Sequence, residues 1–195
     1  MDLDQINTRT EELAEKLGAQ PPHAESGNVP QWSSDGIRPL LRKRQPVIVV
    51  GATFGKLSAA EKDGALASAM VILDLIKTGA RRVPLAVSLS LLPAVMVVGF
   101  VAGEHGTPPW QVIAAALASY AIGRAVAHML WFRRVVYRMD HKVAEVMGRP
   151  SVDLMLALSL RRPSHPRGVV GIITKLSVPS EAQRAKRLDA IVSAR

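Results

Sequence analysis

Two long apolar runs in the middle of the chain restrict its fold more than any other feature. They extend over residues 83–103 and 110–132, and only a short polar link, residues 104–109, separates them. Each run has about the 20 residues that an α-helix needs to cross the hydrocarbon core of a bilayer. Because the link is so short, the two helices have to run antiparallel. The sequence therefore predicts a transmembrane helical hairpin over residues 83–132, with both flanks on one side of the membrane.

The distribution of charge predicts which side that is. The net charge is +9, and residues 133–195 carry 13 Lys and Arg against 5 Asp and Glu, whereas residues 1–82 carry 11 against 10. Glu104 is the only charged residue of the link. By the positive-inside rule we expect a multi-pass protein of the cell membrane with both termini in the cytoplasm. The same excess predicts attraction to anionic lipid headgroups.

Composition argues against several other classes of protein. The chain has no cysteine, which excludes disulfides and thiolate chemistry. Aromatic residues make up 4% and do not alternate with the basic residues, so nucleic acid is not an expected partner. The polar and acidic start of the chain does not have the pattern of a signal peptide.

The flanks have the patterns of ordinary folded segments. Leu3, Ile6, Leu13 and Leu17 share one helical face, and Ser58 and Glu61 have the spacing of a capping box. We expect a loop or irregular hairpin over residues 20–45 and a strand at the β-branched residues 47–50. The predicted helices cover residues 3–17 and 58–79, the second span continued to residue 148, residues 150–161, and the segment from residue 180.

Four segments, in this order around the hairpin, resemble the HtpX-type membrane zinc metalloproteases, relatives of the CAAX prenyl endopeptidases. They read EELAEKLGAQPP, RKRQPVIVVGATFGKLSAAE, FRRVVYRMDHKVAEVMGRPSVDLMLALSL and SVPSEAQRAKRLDAI. The resemblance implies a mainly α fold with a small β-sheet, in which the hairpin interrupts a zincin-like cytoplasmic domain. Residues 1–82 and 133–195 would form the two halves of that domain.

The residues that such an enzyme needs are missing. The family binds zinc through two His one turn apart and a Glu on a later helix, and a Glu beside the first His activates water. Aligned on the resemblance, Ser68 and Ile72 take the two His positions, Ala69 the base position and Val136 the position of the third ligand. Because Ala, Ile and Val have no donor atoms, we expect neither metal nor cofactor. The sequence thus predicts a pseudoprotease, a non-catalytic scaffold, regulatory or peptide-binding subunit of a membrane complex.

Other interpretations stay open at this point. Tyr120, Arg124 and His128 share one face of the second span and either bind a partner protein or snorkel to the headgroups. Asp74 and Asp140, with Lys77, Arg134 and Arg138 as candidate cations, could support a membrane enzyme with non-zinc chemistry, as could residues supplied by a partner. A small membrane protein that handles lipids is a further alternative. Residues 47–51 could offer a sheet edge to a peptide, or lie covered inside the sheet.

Overall fold

A computed structural model describes residues 2–30, 33–43, 45–79, 108–161 and 177–192, together with residues 89, 92–93, 95–97, 99–101 and 103–104. The fold is mainly helical with one small sheet, as the sequence predicts. The helices are α1 (Leu3–Leu17), α2 (Ala59–Gly79), α3 (Pro109–Met147), α4 (Arg149–Arg161) and α5 (Glu181–Val192). The strands are β1 (His23–Ser26), β2 (Ile37–Arg42) and β3 (Gln45–Val50), and a 3₁₀ turn follows at Phe54–Lys56.

Local capping explains where the first two helices begin and end. Asp2 accepts the backbone N–H of Leu3 at 2.7 Å and forms a capping box with Gln5, and Gly18 ends α1 with φ 59°. The predicted capping box of α2 is confirmed, because a carboxylate oxygen of Glu61 accepts the backbone N–H of Ser58 at 2.8 Å. Residues that favour helix ends by their own chemistry thus fix these boundaries.

The sheet is larger than the sequence predicts. Its strand order is β1-β3-β2, in which β1 is parallel and β2 antiparallel to β3. The prediction of a loop or irregular hairpin over residues 20–45 was therefore wrong for β1 and β2, although β2 and β3 do form a hairpin. Neither HAES nor IRPLLR alternates cleanly between apolar and polar residues, so both take strand conformation through pairing with the β-branched β3.

Helix α2 is the centre of the hydrophobic core. It contacts α1, β2, α3 and α4, and it is buried on nearly every side. Small residues allow this close packing: a Cβ built on Gly64 would lie 3.0 Å from Cγ of Met155 on α4. A helix that is apolar around its whole circumference is typical of a buried core helix. Its fully or nearly fully buried residues are Gly64, Ala65, Leu66, Ala67, Ala69, Met70, Val71 and Leu73.

A charged contact connects α1 to α2. The guanidinium of Arg9 donates two hydrogen bonds to the carboxylate of Asp63, at 2.8 and 2.6 Å, and a further one to Glu12. These two carboxylates hold the pKa of Arg9 above its ordinary value, chiefly through the hydrogen bond to Asp63. Arg9 is therefore charged at every pH at which the protein is folded.

Two glycines with positive φ provide a matched test of how closely Gly36 approaches the 3₁₀ turn. Gly18 has φ 59°, and a Cβ added there would meet open space, whereas at Gly36, with φ 67°, a Cβ would lie 2.5 Å from the backbone nitrogen of Phe54. Left-handed backbone disfavours alanine by about 1–2 kcal/mol at either position. We expect Gly36→Ala to lower the free energy of unfolding by clearly more than Gly18→Ala, as measured by thermal unfolding in mild detergent. Equal losses would contradict the close approach of Gly36 to the 3₁₀ turn.

Candidate functional site

Helix α3 has two parts with different surroundings. It is long and apolar enough to cross a membrane, and no residue of its most apolar 18-residue stretch is buried. Its buried residues begin only at Val135 and continue with Val136, Met139, Asp140 and Val143. From Trp110 to Trp131 the helix is about 33 Å long at 1.5 Å per residue, which matches a hydrocarbon core of about 30 Å. The uninterrupted helix from the second span to residue 147 was predicted correctly.

The first predicted span lies mostly outside the described residues. Those of residues 89–104 that the structure describes are helical, and their large apolar side chains are exposed except that of Val95, which is half-buried. One close approach to α3 is present, since a Cβ on Gly99 would lie 3.9 Å from Cγ1 of Val112. Pairing of the two spans as a hairpin stays a prediction.

The three polar residues proposed to bind a partner, Tyr120, Arg124 and His128, lie on the part of α3 that precedes its buried residues. Tyr120 is half-buried, whereas Arg124 and His128 are exposed. The imidazole of His128 lies 5.4 Å from the ring of Trp131, tilted by 36°. Trp131 in turn packs on the end of α2, because a Cβ on Gly79 would lie 3.1 Å from its ring. The polar face thus ends where α3 meets the folded domain.

The positions that the resemblance assigns to zinc lie on two helices that pack together, α2 and α3. Ala69 and Val136 are buried, with 4% and 5% of their surface exposed, and belong to one hydrophobic cluster. Ile72 is half-buried against that cluster, and Ser68 is half-buried. No group of three or more His, Cys, Asp or Glu side chains in the described part of the chain could hold a metal ion.

The two acidic residues proposed for other chemistry have separate cation partners. Asp140 is buried and accepts two hydrogen bonds from Arg184 on α5, at 2.7 and 2.6 Å. Asp74 lies 3.9 Å from Nζ of Lys142. The expected cations Lys77, Arg134 and Arg138 were therefore wrong. Sequence reasoning missed Arg184 because it is 44 residues from Asp140 and carries no local signal.

Of the two alternatives for residues 47–51, the free sheet edge was wrong, because β3 is the central strand. The outer edge of β2 is also poorly suited to bind a peptide. At Ile37 the N–H donates to Asp35 and the carbonyl accepts from Ser33, and Pro39 has no N–H to offer. On β1, the N–H of Ala24 donates to the side-chain oxygen of Asn7. Neither edge presents a continuous row of backbone groups.

A basic hollow lies between α3 and α5, next to the exposed part of α3. It has a volume of about 340 Å³ and is lined by Arg134, Tyr137, Arg138, His141 and Arg187. The guanidinium carbon of Arg187 lies 4.6 Å above the centre of the Tyr137 ring. Sequence reasoning considered Arg134 and Arg138 as candidate cations for the two acidic residues, and it missed Tyr137, His141 and Arg187. The i, i+4, i+7 spacing of residues 134, 138 and 141 was the available signal.

Comparison of this chain with family models, with curated proteins and with solved structures finds no match.

The buried pair Asp140–Arg184 allows a test of how α5 is attached. We expect Arg184→Met to lower the free energy of unfolding by about 3–5 kcal/mol, because it leaves a buried carboxylate without its cation. The double variant Asp140→Leu, Arg184→Met should recover most of this loss, whereas Arg42→Gln, in an exposed pair with Glu25, should change little. Denaturant unfolding in mild detergent measures all three, and a double variant as unstable as Arg184→Met would contradict the assignment.

Proposed function

We propose that this protein is a membrane-anchored, catalytically inactive relative of the HtpX-type metalloproteases. It acts as a scaffold or regulatory subunit that binds a protein partner within a membrane assembly. The proposal includes the paired spans of residues 83–103 and 110–132, a zincin-like domain formed by residues 1–82 and 133–195, and both termini in the cytoplasm.

The packing of α2 against α3 is the observation that carries this proposal. Where the resemblance places a base and a third metal ligand, Ala69 and Val136 are buried in the hydrophobic core. A buried polar ligand needs a metal or hydrogen bonds to compensate its desolvation, whereas an aliphatic side chain stabilises the packing directly. A domain with this composition keeps the fold without needing the metal, so its contribution would come from binding.

The outer face of α3 is the surface that we assign to the partner. Polar residues within a span usually face other protein, because lipid cannot satisfy them. Arg124 lies about 11 Å from Trp131 along the helix axis, within two to three turns of the interface. The sheet is a weaker candidate, since the backbone groups at its edges are engaged or absent. We therefore favour a membrane protein over an extended peptide as the partner.

An enzyme with non-zinc chemistry has less support. Asp140 is buried and ion-paired with Arg184, and Asp74 lies beside Lys142. In the described residues no base hydrogen-bonds to the hydroxyl of Ser68, which a serine nucleophile would need. Neither arrangement brings an acid, a base and a nucleophile together.

Rebuilding the zinc ligands tests the resemblance directly. The natural chain is expected to purify without stoichiometric zinc and to cleave no casein. We expect Ser68→His with Ile72→His to bind zinc weakly, since the two positions lie one turn apart on α2. Adding Val136→Glu should tighten binding, because it supplies a third ligand from α3.

Val135→Glu, added to the same pair of histidines, is the matched control. Val135 is as buried as Val136 but points about 100° away around the helix. Zinc affinity is measured by competition with a chromophoric chelator. If Val136→Glu improves affinity no more than Val135→Glu, the zincin-like arrangement of α2 and α3 is wrong.

Photo-crosslinking in membranes tests the partner face. A photoreactive amino acid at position 120, 124 or 128 should give the same discrete protein adduct. Placed at Ile122, about 200° around the helix from Arg124, it should give none. Arg124→Leu should also abolish co-purification of that adduct partner while leaving membrane insertion intact. Equal adducts at all four positions, or unchanged co-purification of the partner with Arg124→Leu, would mean that Arg124 extends to the lipid headgroups and binds no protein.

A further inference from the structure

The basic hollow between α3 and α5 is built from two separate helices. Arg134, Arg138 and His141 follow one another along α3, and Arg187 comes from α5. The ring of Tyr137 lies under the Arg187 guanidinium at 4.6 Å, so a cation–π contact holds Arg187 against α3. The buried ion pair between Asp140 and Arg184 attaches α5 to α3 one turn before Arg187. Three guanidinium groups are thereby gathered around one hollow of about 340 Å³.

These guanidinium groups have no compensating carboxylate in the described part of the chain. No acidic residue is among the described residues that line the hollow. Three acids on the helices packed around it bind other cations: Asp140 is bound to Arg184, Asp74 lies beside Lys142, and Asp189 is paired with Arg149. Glu181 on α5 accepts a hydrogen bond from Ser159. Uncompensated guanidinium groups around a cavity attract an anion, and their planar donors fit the oxygens of a phosphate.

The position of the hollow along α3 brings it to the depth of lipid headgroups. Arg134 lies about 5 Å and Arg138 about 11 Å beyond Trp131 along the helix axis. Each headgroup region is about 5–8 Å thick. Side chains on an α-helix lean towards its N-terminus, and the N-terminal part of α3 is the part that can cross the membrane. Both arginines therefore lean towards the headgroups.

A second hollow adjoins the first on the membrane side. It measures about 310 Å³ and shares Arg134 and Arg138 with the basic hollow. The other residues that line this second hollow include Leu75, Val135 and Trp131. The two hollows together offer cations beside an apolar surface, which suits a molecule with a phosphate and an acyl-glycerol part. A free phosphate would use only the first.

We propose that the hollow lined by Arg134, Arg138 and Arg187 binds the phosphate of an anionic phospholipid headgroup. The phosphate receives hydrogen bonds from these guanidinium groups, and the imidazole of His141 and the hydroxyl of Tyr137 are further donors at the wall. The proposal rests on the passage of α3 through the membrane. That passage is the one part of the proposed function on which it rests. It depends neither on a protein partner nor on the protease resemblance, so either of these can fail without affecting it.

The experiment uses the full-length protein in neutral-detergent micelles. It is titrated with dioctanoyl phosphatidylglycerol, dioctanoyl phosphatidylcholine or glycerol 3-phosphate, and binding is followed by thermophoresis and native mass spectrometry. Arg187→Gln is compared with Lys186→Gln, which removes the same charge from the adjacent, exposed residue of α5. The double variant Arg134→Gln, Arg138→Gln is compared with a control double variant, Arg38→Gln, Lys186→Gln, which removes the same charge. Arg133 is not a suitable control, because its Nε is buried.

We expect one phosphatidylglycerol to bind in preference to phosphatidylcholine. Arg187→Gln should weaken this binding about fivefold and the Arg134, Arg138 double variant about 25-fold, since a basic residue near headgroups contributes about a fivefold preference. The two controls should bind as the natural chain does. Unfolding curves in the same detergent identify any variant that fails to fold. Arg187→Lys, which keeps the charge but loses the planar donors, then replaces Arg187→Gln and should still weaken binding, by less than about fivefold.

Three results would overturn the proposal. Equal weakening in the site variants and their charge-matched controls would mean diffuse attraction without a site. Equal affinity for phosphatidylcholine would mean that the anionic headgroup is not recognised. Glycerol 3-phosphate bound as tightly as phosphatidylglycerol would mean a soluble phosphate ligand and not a lipid.

Discussion

One uninterrupted helix, α3, has a long apolar part that is not buried and a second part that is packed in the core, and the arrangement of the rest of the protein depends on this continuity. The N-terminal part of α3 is mostly apolar apart from the face of Tyr120, Arg124 and His128, while its C-terminal part supplies Val135, Val136, Met139 and Val143 to the hydrophobic core of the folded domain. No break separates the two parts, so in the proposed membrane-spanning arrangement the depth of the helix and the position of the folded domain are coupled. A shift of α3 along its axis would either expose Trp131 or pull Val135 out of the core.

The contact of α3 with α2 sets this position. Gly79 at the end of α2 leaves room for the ring of Trp131, and further along the helix Val136 and Ala69 share the hydrophobic cluster. Because α2 is surrounded by α1, β2, α3 and α4, its packing fixes α3 relative to the whole domain. The domain therefore works as a rigid base for the exposed part of α3, and the polar residues of that part are held at defined heights and angles.

The sequence predicted those parts of the fold that have a local cause. The capping box of Ser58 and Glu61 and the β-branched run of β3 are short-range signals, and the continuity of α3 follows from the absence of a helix breaker between Trp110 and Met147. Strand β2 was missed because IRPLLR becomes a strand only beside β3. The partner of Asp140 and the cation–π contact of Arg187 were missed for a related reason, because each joins residues more than 40 positions apart. Such pairs depend on how helices pack, which no local pattern encodes.

The distribution of arginines along α3 connects its unburied apolar part with the chemistry of the domain. Arg124 lies within the apolar part, Arg134 follows Trp131 by three residues, and Arg138 follows by seven. A guanidinium is difficult to desolvate, so each of these residues favours a position at which it reaches water, phosphate or another protein. Sliding α3 further into a bilayer would bury Arg134 in hydrocarbon, and sliding it out of the bilayer would move apolar residues of the helix from hydrocarbon into water. In the proposed membrane-spanning arrangement, the packing of α2 and the charges of α3 thus favour the same depth, and at that depth the cation-lined hollow would lie among lipid phosphates.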